Sequence, residues 1–404
     1  MKFCTNCGKQ LEEGVKFCYN CGAPTSPTAS SASTASNQAA PGANQTGTSS
    51  TTVMDSLTSL INGLAGGKGA VRPPLKTVFS QVLDRHTKEE SEEIFIGGTA
   101  STTPELNDDG KAWPHPWLWS RIFLVFLVSF VFLYICCTIF DNLNAYPGLI
   151  FMGSFAVPIA IMFFFFELNT PRNISFYSVL KYFLIGGCAS LVSTLFLFEL
   201  VTVADPWVEA VVVGIVEEVG KLVIVAIILF RVSQKYYVNG LLVGAAVGAG
   251  FAAFESAGYA FRIFLINILS SGNIETSYDE MVENILLRGF LAPGGHVIWA
   301  AMTGYALMLI KEKENKLDMG FIAKTDFWKL FIIPIVIHAV WDMPFEFGEG
   351  IWGNVVFCTV LLLLGWVVVF VLISNSLSQI GKILVEKKRA EVAAQQAQRV
   401  ETPR

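Results

Sequence analysis

Residues 118–140 read LWSRIFLVFLVSFVFLYICCTIF. At 1.5 Å per helical residue this run is long enough to cross a hydrocarbon layer of about 30 Å. Its single charge, Arg121, falls near the start. Further apolar runs follow near 147–167, 177–202, 207–230, 238–268, 286–310, 327–345 and 352–376. The pattern predicts an all-α polytopic membrane protein of about eight transmembrane helices. Composition agrees, because a chain that is 53% hydrophobic and 15% charged has more apolar bulk than a soluble surface tolerates. A formal net charge of -5 gives no electrostatic reason to expect a nucleic-acid partner.

The loops set the expected topology. Arg172 and Lys181, Arg231 and Lys235, and Lys311 through Lys329 make alternate loops basic, as do Lys387, Lys388 and Arg389 in the tail. The intervening loops carry Asp141, then Asp205 and Glu209, then Glu275, Asp279, Glu280 and Glu283, then Glu346 and Glu349, with Arg288 as the main exception. Positive charge gathers on the cytoplasmic side, so a multi-pass cell-membrane protein with both termini cytoplasmic is expected. The first residues are polar, so no cleavable signal peptide is expected and the first span serves as the insertion signal.

Ahead of the spans lie two C-x2-C pairs, Cys4 with Cys7 and Cys18 with Cys21, in residues 1–26. Four thiolates close a tetrahedron around zinc, and Gly8 and Gly22 suit the tight knuckles. Such a closed site is structural, so a small zinc ribbon that docks an unknown protein partner or acts as a sensor is expected, a redox or vestigial unit being the other reading of the four cysteines. Residues 27–70 are rich in Ser, Thr, Ala, Asn and Gly and read as a flexible low-complexity linker, with a short amphipathic helix as one reading of 53–61. A juxtamembrane segment, 71–115, receives no element from the sequence; the membrane domain spans 116–378 and a basic tail 379–404. Cys136, Cys137, Cys188 and Cys358 lie in apolar runs without pairing and read as small apolar fillers.

Function is legible in the charges inside the spans. An ionisable side chain at the bilayer centre costs at least about 2.5 kcal/mol, so its presence points to a site. Span four holds Glu217, Glu218 and Lys221; span five Glu255 and Tyr259; span six His296; span seven His338 and Asp342. From the expected ends, Glu217 lies roughly 15 Å below the outer surface, and His296, about ten residues into its span, reaches a similar level. The pairs Glu217/Lys221, Glu255/Tyr259 and His338/Asp342 are spaced i,i+4, which puts each on one helix face. Read singly, such pairs are buried ion pairs or interhelical hydrogen bonds that aid packing. Convergence of three glutamates and two histidines in one layer favours a functional site.

At these residues the sequence resembles the PrsW family of intramembrane proteases, related to the CAAX prenyl protease group. The resemblance rests on EExxK at Glu217-Glu218-x-x-Lys221, FxxxExxxY at Phe251 through Tyr259, His296, and HxxxD at His338 through Asp342. It covers roughly 118–376, leaving out ribbon and linker. It implies an intramembrane endopeptidase acting on a single-span regulatory protein of the anti-sigma-factor type. On this reading Glu217 activates water, Lys221 is its electrostatic partner, and Glu218 orients the site. Two versions stay open. In one, His296, His338 and a glutamate hold a second zinc, with Asp342 or Glu255 behind them. In the other, preferred because no HExxH spacing marks one helix, Glu217 works without metal and the histidines bind the oxyanion. A non-proteolytic transporter or sensor using the same buried groups is the alternative from another class, and a catalytically dead scaffold capturing partners with its ribbon is a third.

Overall fold

The computed structural model describes residues 2–3, 10–11, 52–107, 112–233, 235–347 and 352–401. Residues 1–50 form one unit and 51–404 another. In the first, β1 (Lys2–Phe3) and β2 (Gln10–Leu11) pair antiparallel, with Lys2 opposite Leu11. The four ribbon cysteines lie outside the described residues.

The second unit is all-helical. Its first helix, α1 (Val53–Leu64), opens on a capping box in which the Thr52 hydroxyl accepts from the Asp55 backbone and the Asp55 carboxylate accepts from Thr52. The expected flexible linker, 27–70, therefore contains an ordered helix. Short α2 (Leu75–Val78) and α3 (Lys88–Phe95) give the unassigned 71–115 segment a fold of its own. Phe95 packs on Phe163, Phe166 and Phe176, while the His86 ring stacks on Trp117 at 3.7 Å.

The remaining helices follow as α4 (Leu118–Thr138), α5 (Tyr146–Leu168), α6 (Phe176–Lys181) running through a π turn at Tyr182–Gly186 into α7 (Gly187–Phe198), and α8 (Pro206–Arg231). Next come α9 (Tyr237–Ser271), α10 (Ile274–Leu291), α11 (His296–Lys313), α12 (Thr325–Asp342) and α13 (Trp352–Glu401). The last carries the expected basic tail as a continuation of the helix. Among the described residues six helical segments are long and apolar enough to cross a membrane, with α10 and α11 counted as one. The eight expected spans all fall on helices, but α8 and α12 are outside that apolar set. They bear Glu217, Glu218, Lys221, His338 and Asp342, so the charged residues that make the site also set its helices apart from the purely apolar ones.

The centre of the bundle is α9, buried without interruption from Tyr237 to Ala253. It approaches α11 closely because glycines line the seam. A Cβ on Gly244 would fall against the Ala300 carbonyl, one on Gly248 against that of His296, and one on Gly304 against that of Gly240. Such small-residue seams let backbones meet where lipid offers no hydrophobic drive to association. Conversely, Leu124, Val125, Val128 and Phe132 of α4 and Leu195 and Phe196 of α7 point outward, as a lipid-facing surface requires.

One expected span is broken. The sequence predicts continuous helix over 286–310, but α10 stops at Leu291, a 3-10 turn covers Ala292–Gly294, and Gly295 precedes α11. Pro293 lacks a backbone N–H and two glycines follow it, which ends the helix here. His296 is consequently the first residue of a helix rather than a position ten residues within one.

Candidate active site

Five helices supply the site. From α8 come Glu217, Glu218 and Lys221; from α9 Glu255; from α10 Arg288; from α11 His296 and Trp299; from α12 His338 and Asp342. A cavity of about 510 Å³ is lined by Glu217, Glu255, Arg288, His296, His338 and Asp342 among others. Every expected membrane-site residue belongs to one connected network. Asp342 is exposed at its edge, whereas Glu218 and Lys221 are wholly buried.

Fully enclosed charges must find partners, and these do. The Lys221 Nζ lies 2.6 Å from Glu218 Oε1 and 4.0 Å from Glu217 Oε2. It also sits over the Phe251 ring and 2.9 Å from His296 Nδ1. His338 Nδ1 is 2.9 Å from Glu218 Oε1, and its Nε2 is 3.2 Å from Asp342 Oδ2. His296 Nε2 is 2.9 Å from Glu255 Oε2, which the Arg288 guanidinium also reaches at 2.5 Å. Arg288 continues to the Ser256 hydroxyl at 2.9 Å and covers the Tyr259 ring.

The tautomers follow from these contacts. An ionised carboxylate can only accept, so His338 donates from Nδ1 to Glu218 and His296 donates from Nε2 to Glu255. His296 Nδ1 is then left to accept from Lys221 Nζ, while His338 Nε2 faces the carboxylates of both Asp342 and Glu217. Glu217 Oε2 is 3.7 Å from His338 Nε2 and 3.8 Å from His296 Nδ1, and it is buried without a hydrogen-bond partner.

This arrangement fits a divalent cation. Ligand atoms of Glu217, His296 and His338 lie within 4.8 Å of one another, two imidazoles and a carboxylate being a common donor set for zinc in hydrolases. Behind each imidazole stands a carboxylate that fixes its orientation, the usual support for a metal-bound histidine. Charge balance agrees. The carboxylates of Glu217, Glu218, Glu255 and Asp342 face two fixed cations, Lys221 and Arg288, so the site has negative charge to be offset by a bound cation or by protons on its own groups. Missing HExxH spacing, taken above to favour a metal-free centre, carries no weight once the two imidazoles arrive from different helices.

Sequence reading missed Arg288, which it placed among the acidic outer loops. Its being the one marked departure from their charge pattern was the available signal. It also passed over Glu167, whose carboxylate accepts from the backbone N–H groups of Trp117, Leu118 and Trp119 and caps α4.

Fold and site together define a multi-pass helical membrane protein with a buried carboxylate and histidine centre suited to hydrolysis. Residues 175–373 match the PrsW family intramembrane metalloprotease model, and residues 3–25 match a zinc-ribbon domain. The membrane domain belongs to the PrsW family, and the protein is an intramembrane peptidase with an N-terminal zinc ribbon. Neither a curated protein nor a solved structure gave a significant match.

Proposed function

We propose that the cavity hydrolyses a peptide bond of a single-span regulatory membrane protein, with zinc held by Glu217, His296 and His338. The observation that carries this reading is the unpartnered Glu217 Oε2, flanked by two inward-facing imidazole nitrogens. A zinc ion bound there lowers the pKa of a water and polarises the scissile carbonyl. Glu218 and Glu255 hold the two rings in place beside Glu217. Asp342, exposed beside His338 Nε2, is placed to accept a proton from water entering the cavity. Lys221 neutralises Glu218 and lies against His296 Nδ1, the ring nitrogen that would hold an ion there. Eight crossings with both termini cytoplasmic, a substrate of the anti-sigma-factor type and an unidentified partner for the ribbon complete the proposal.

A second reading has one observation in its favour. Lys221 already brings positive charge to His296 Nδ1, as a metal-free site with Glu217 as base would need. Zinc counting on the purified full-length chain separates the two. Wild type should hold two ions, the variant with Cys4, Cys7, Cys18 and Cys21 changed to Ser one, and that variant with His338→Ala none. Cleavage of a single-span substrate in liposomes should survive the cysteine changes and be lost with His338→Ala or Glu217→Gln. A ribbon-deficient chain that cleaves without bound zinc would leave the metal-free reading standing.

A further inference from the structure

The polarity of α1 is inverted relative to an ordinary surface helix. Its bound face buries Asp55, Thr58 and Asn62 beside Ile61, with Leu57 and Leu64 half-buried against the core at its margin. Val53, Met54 and Leu60 point away from the bundle, Val53 87% and Leu60 63% exposed. In water an apolar stripe would turn inward and the polar face outward. Here the polar face is anchored. Arg72 closes on Asp55 with contacts of 2.8 and 2.6 Å, Val71 donates to the Thr58 hydroxyl at 3.3 Å, and the Asn62 amide donates to the Gly69 carbonyl at 2.9 Å. Hydrogen bonds from Arg72, then from Thr52, hold the Asp55 carboxyl well below the usual carboxylate range. The anchor therefore stays charged at neutral and mildly acidic pH, and is lost only as pH falls below that range.

Depth comes from Ala65, at the end of α1. Its carbonyl accepts from the Tyr305 hydroxyl of α11 at 3.1 Å and from the Asn375 amide of α13 at 2.8 Å. Tyr305 precedes Lys313, the last residue of α11, by eight positions, or about 12 Å of helix. The end of α1 thus lies inside the level at which α11 and its terminal lysines leave the bundle.

We propose that α1 lies in the bilayer at the Lys313 end of α11, with Val53, Met54 and Leu60 against lipid acyl chains. Lipid is the occupant that fits the observations. The stripe is continuous in character with the outward apolar faces of neighbouring α12 (Ile332, Val336) and α13 (Leu363, Leu364), and only a non-aqueous surround makes the inverted polarity favourable. The chain from the ribbon then ends in a membrane-embedded strap that joins α11, which begins with His296, to α13.

The test is nitroxide accessibility in the full-length protein reconstituted in phosphatidylethanolamine and phosphatidylglycerol vesicles. A ketone-bearing residue at Leu60, and separately at Val53, takes an oxime-linked spin label without touching the native cysteines. Dissolved oxygen should relax both labels several-fold more than a water-soluble nickel chelate does, and the order should reverse at Lys68, exposed beyond the helix. Nickel-dominated relaxation at 53 and 60 would place the stripe in water, and low values for both reagents would place it against protein; either overturns the proposal.

Discussion

Glu255 shows how much of the site rests on residues that need not touch substrate. Its carboxylate takes the Nε2 proton of His296 and is itself pinned by Arg288, so the imidazole has one orientation and its lone pair one direction. Losing such support costs about 10–100-fold in metal affinity when the ligands remain. Glu255→Gln should therefore weaken zinc binding to the ribbon-deficient chain by that order without unfolding it, as read by competition with a chelator. Unchanged affinity would mean the ring is held by something else. Glu217, Glu218, Lys221, Glu255, His296, His338 and Asp342 were legible in the sequence because a charge far inside an apolar run has no cheap explanation. Arg288 and Glu167 escaped because both sit near the expected ends of spans, where charge costs little. Only their three-dimensional partners reveal what they hold.

Elements show where periodicity stops being informative. All the expected spans are helical, yet hydropathy predicts an unbroken helix at 286–310 where Ala292-Pro293-Gly294-Gly295 ends one helix and starts another. Hydropathy cannot register such a break, because proline and glycine scarcely alter the mean over a long window. Of the glycines spaced along α9, Gly240, Gly244 and Gly248 meet α11, while Gly250 meets Phe183 and Gly187, a division that spacing alone does not reveal. Gly244 offers the sharpest test, since any Cβ there meets the Ala300 carbonyl and the Ala301 Cα, and backbone cannot swing aside as a side chain can. Gly244→Val should cost about 1–3 kcal/mol or more by overpacking. The melting temperature in detergent should fall, and because His296 opens the helix that is pushed, cleavage should fall with it. Gly258→Ala, with open space around the added carbon, should change neither. Equal melting of Gly244→Val and wild type would mean the seam is looser than its glycines suggest.

At the scale of the whole molecule the open matter is whether α8 and α12 cross the membrane. Their charged residues keep them out of the purely apolar set, and six crossings and eight both leave the termini on one side. The two counts differ at the loop between α11 and α12. Contacts along α8 favour eight. Glu217 and Glu218 meet the start of α11 through Lys221 and His296, while Lys311, near its end, donates to the carbonyls of Leu229 and Val232 at the end of α8. From Glu217 to Leu229 the one helix thus runs beside the other from His296 to Lys311, in the same direction, so α8 traverses the same layer. In turn Gly214 of α8 packs on the Ala339 backbone of α12, bringing that helix to the site's depth from the opposite end. With eight crossings the lysine-rich loop holding Lys313, Lys316 and Lys324 is cytoplasmic, as its charge demands; with six it is outside. A reporter that folds only in the cytoplasm, inserted at Asn315, where the backbone already turns through a positive φ of 56°, should be active. A periplasm-dependent reporter at the same position should be silent. The reverse pair of results would remove α8 and α12 from the spanning set, and with them the picture of a site enclosed on every side by membrane helices.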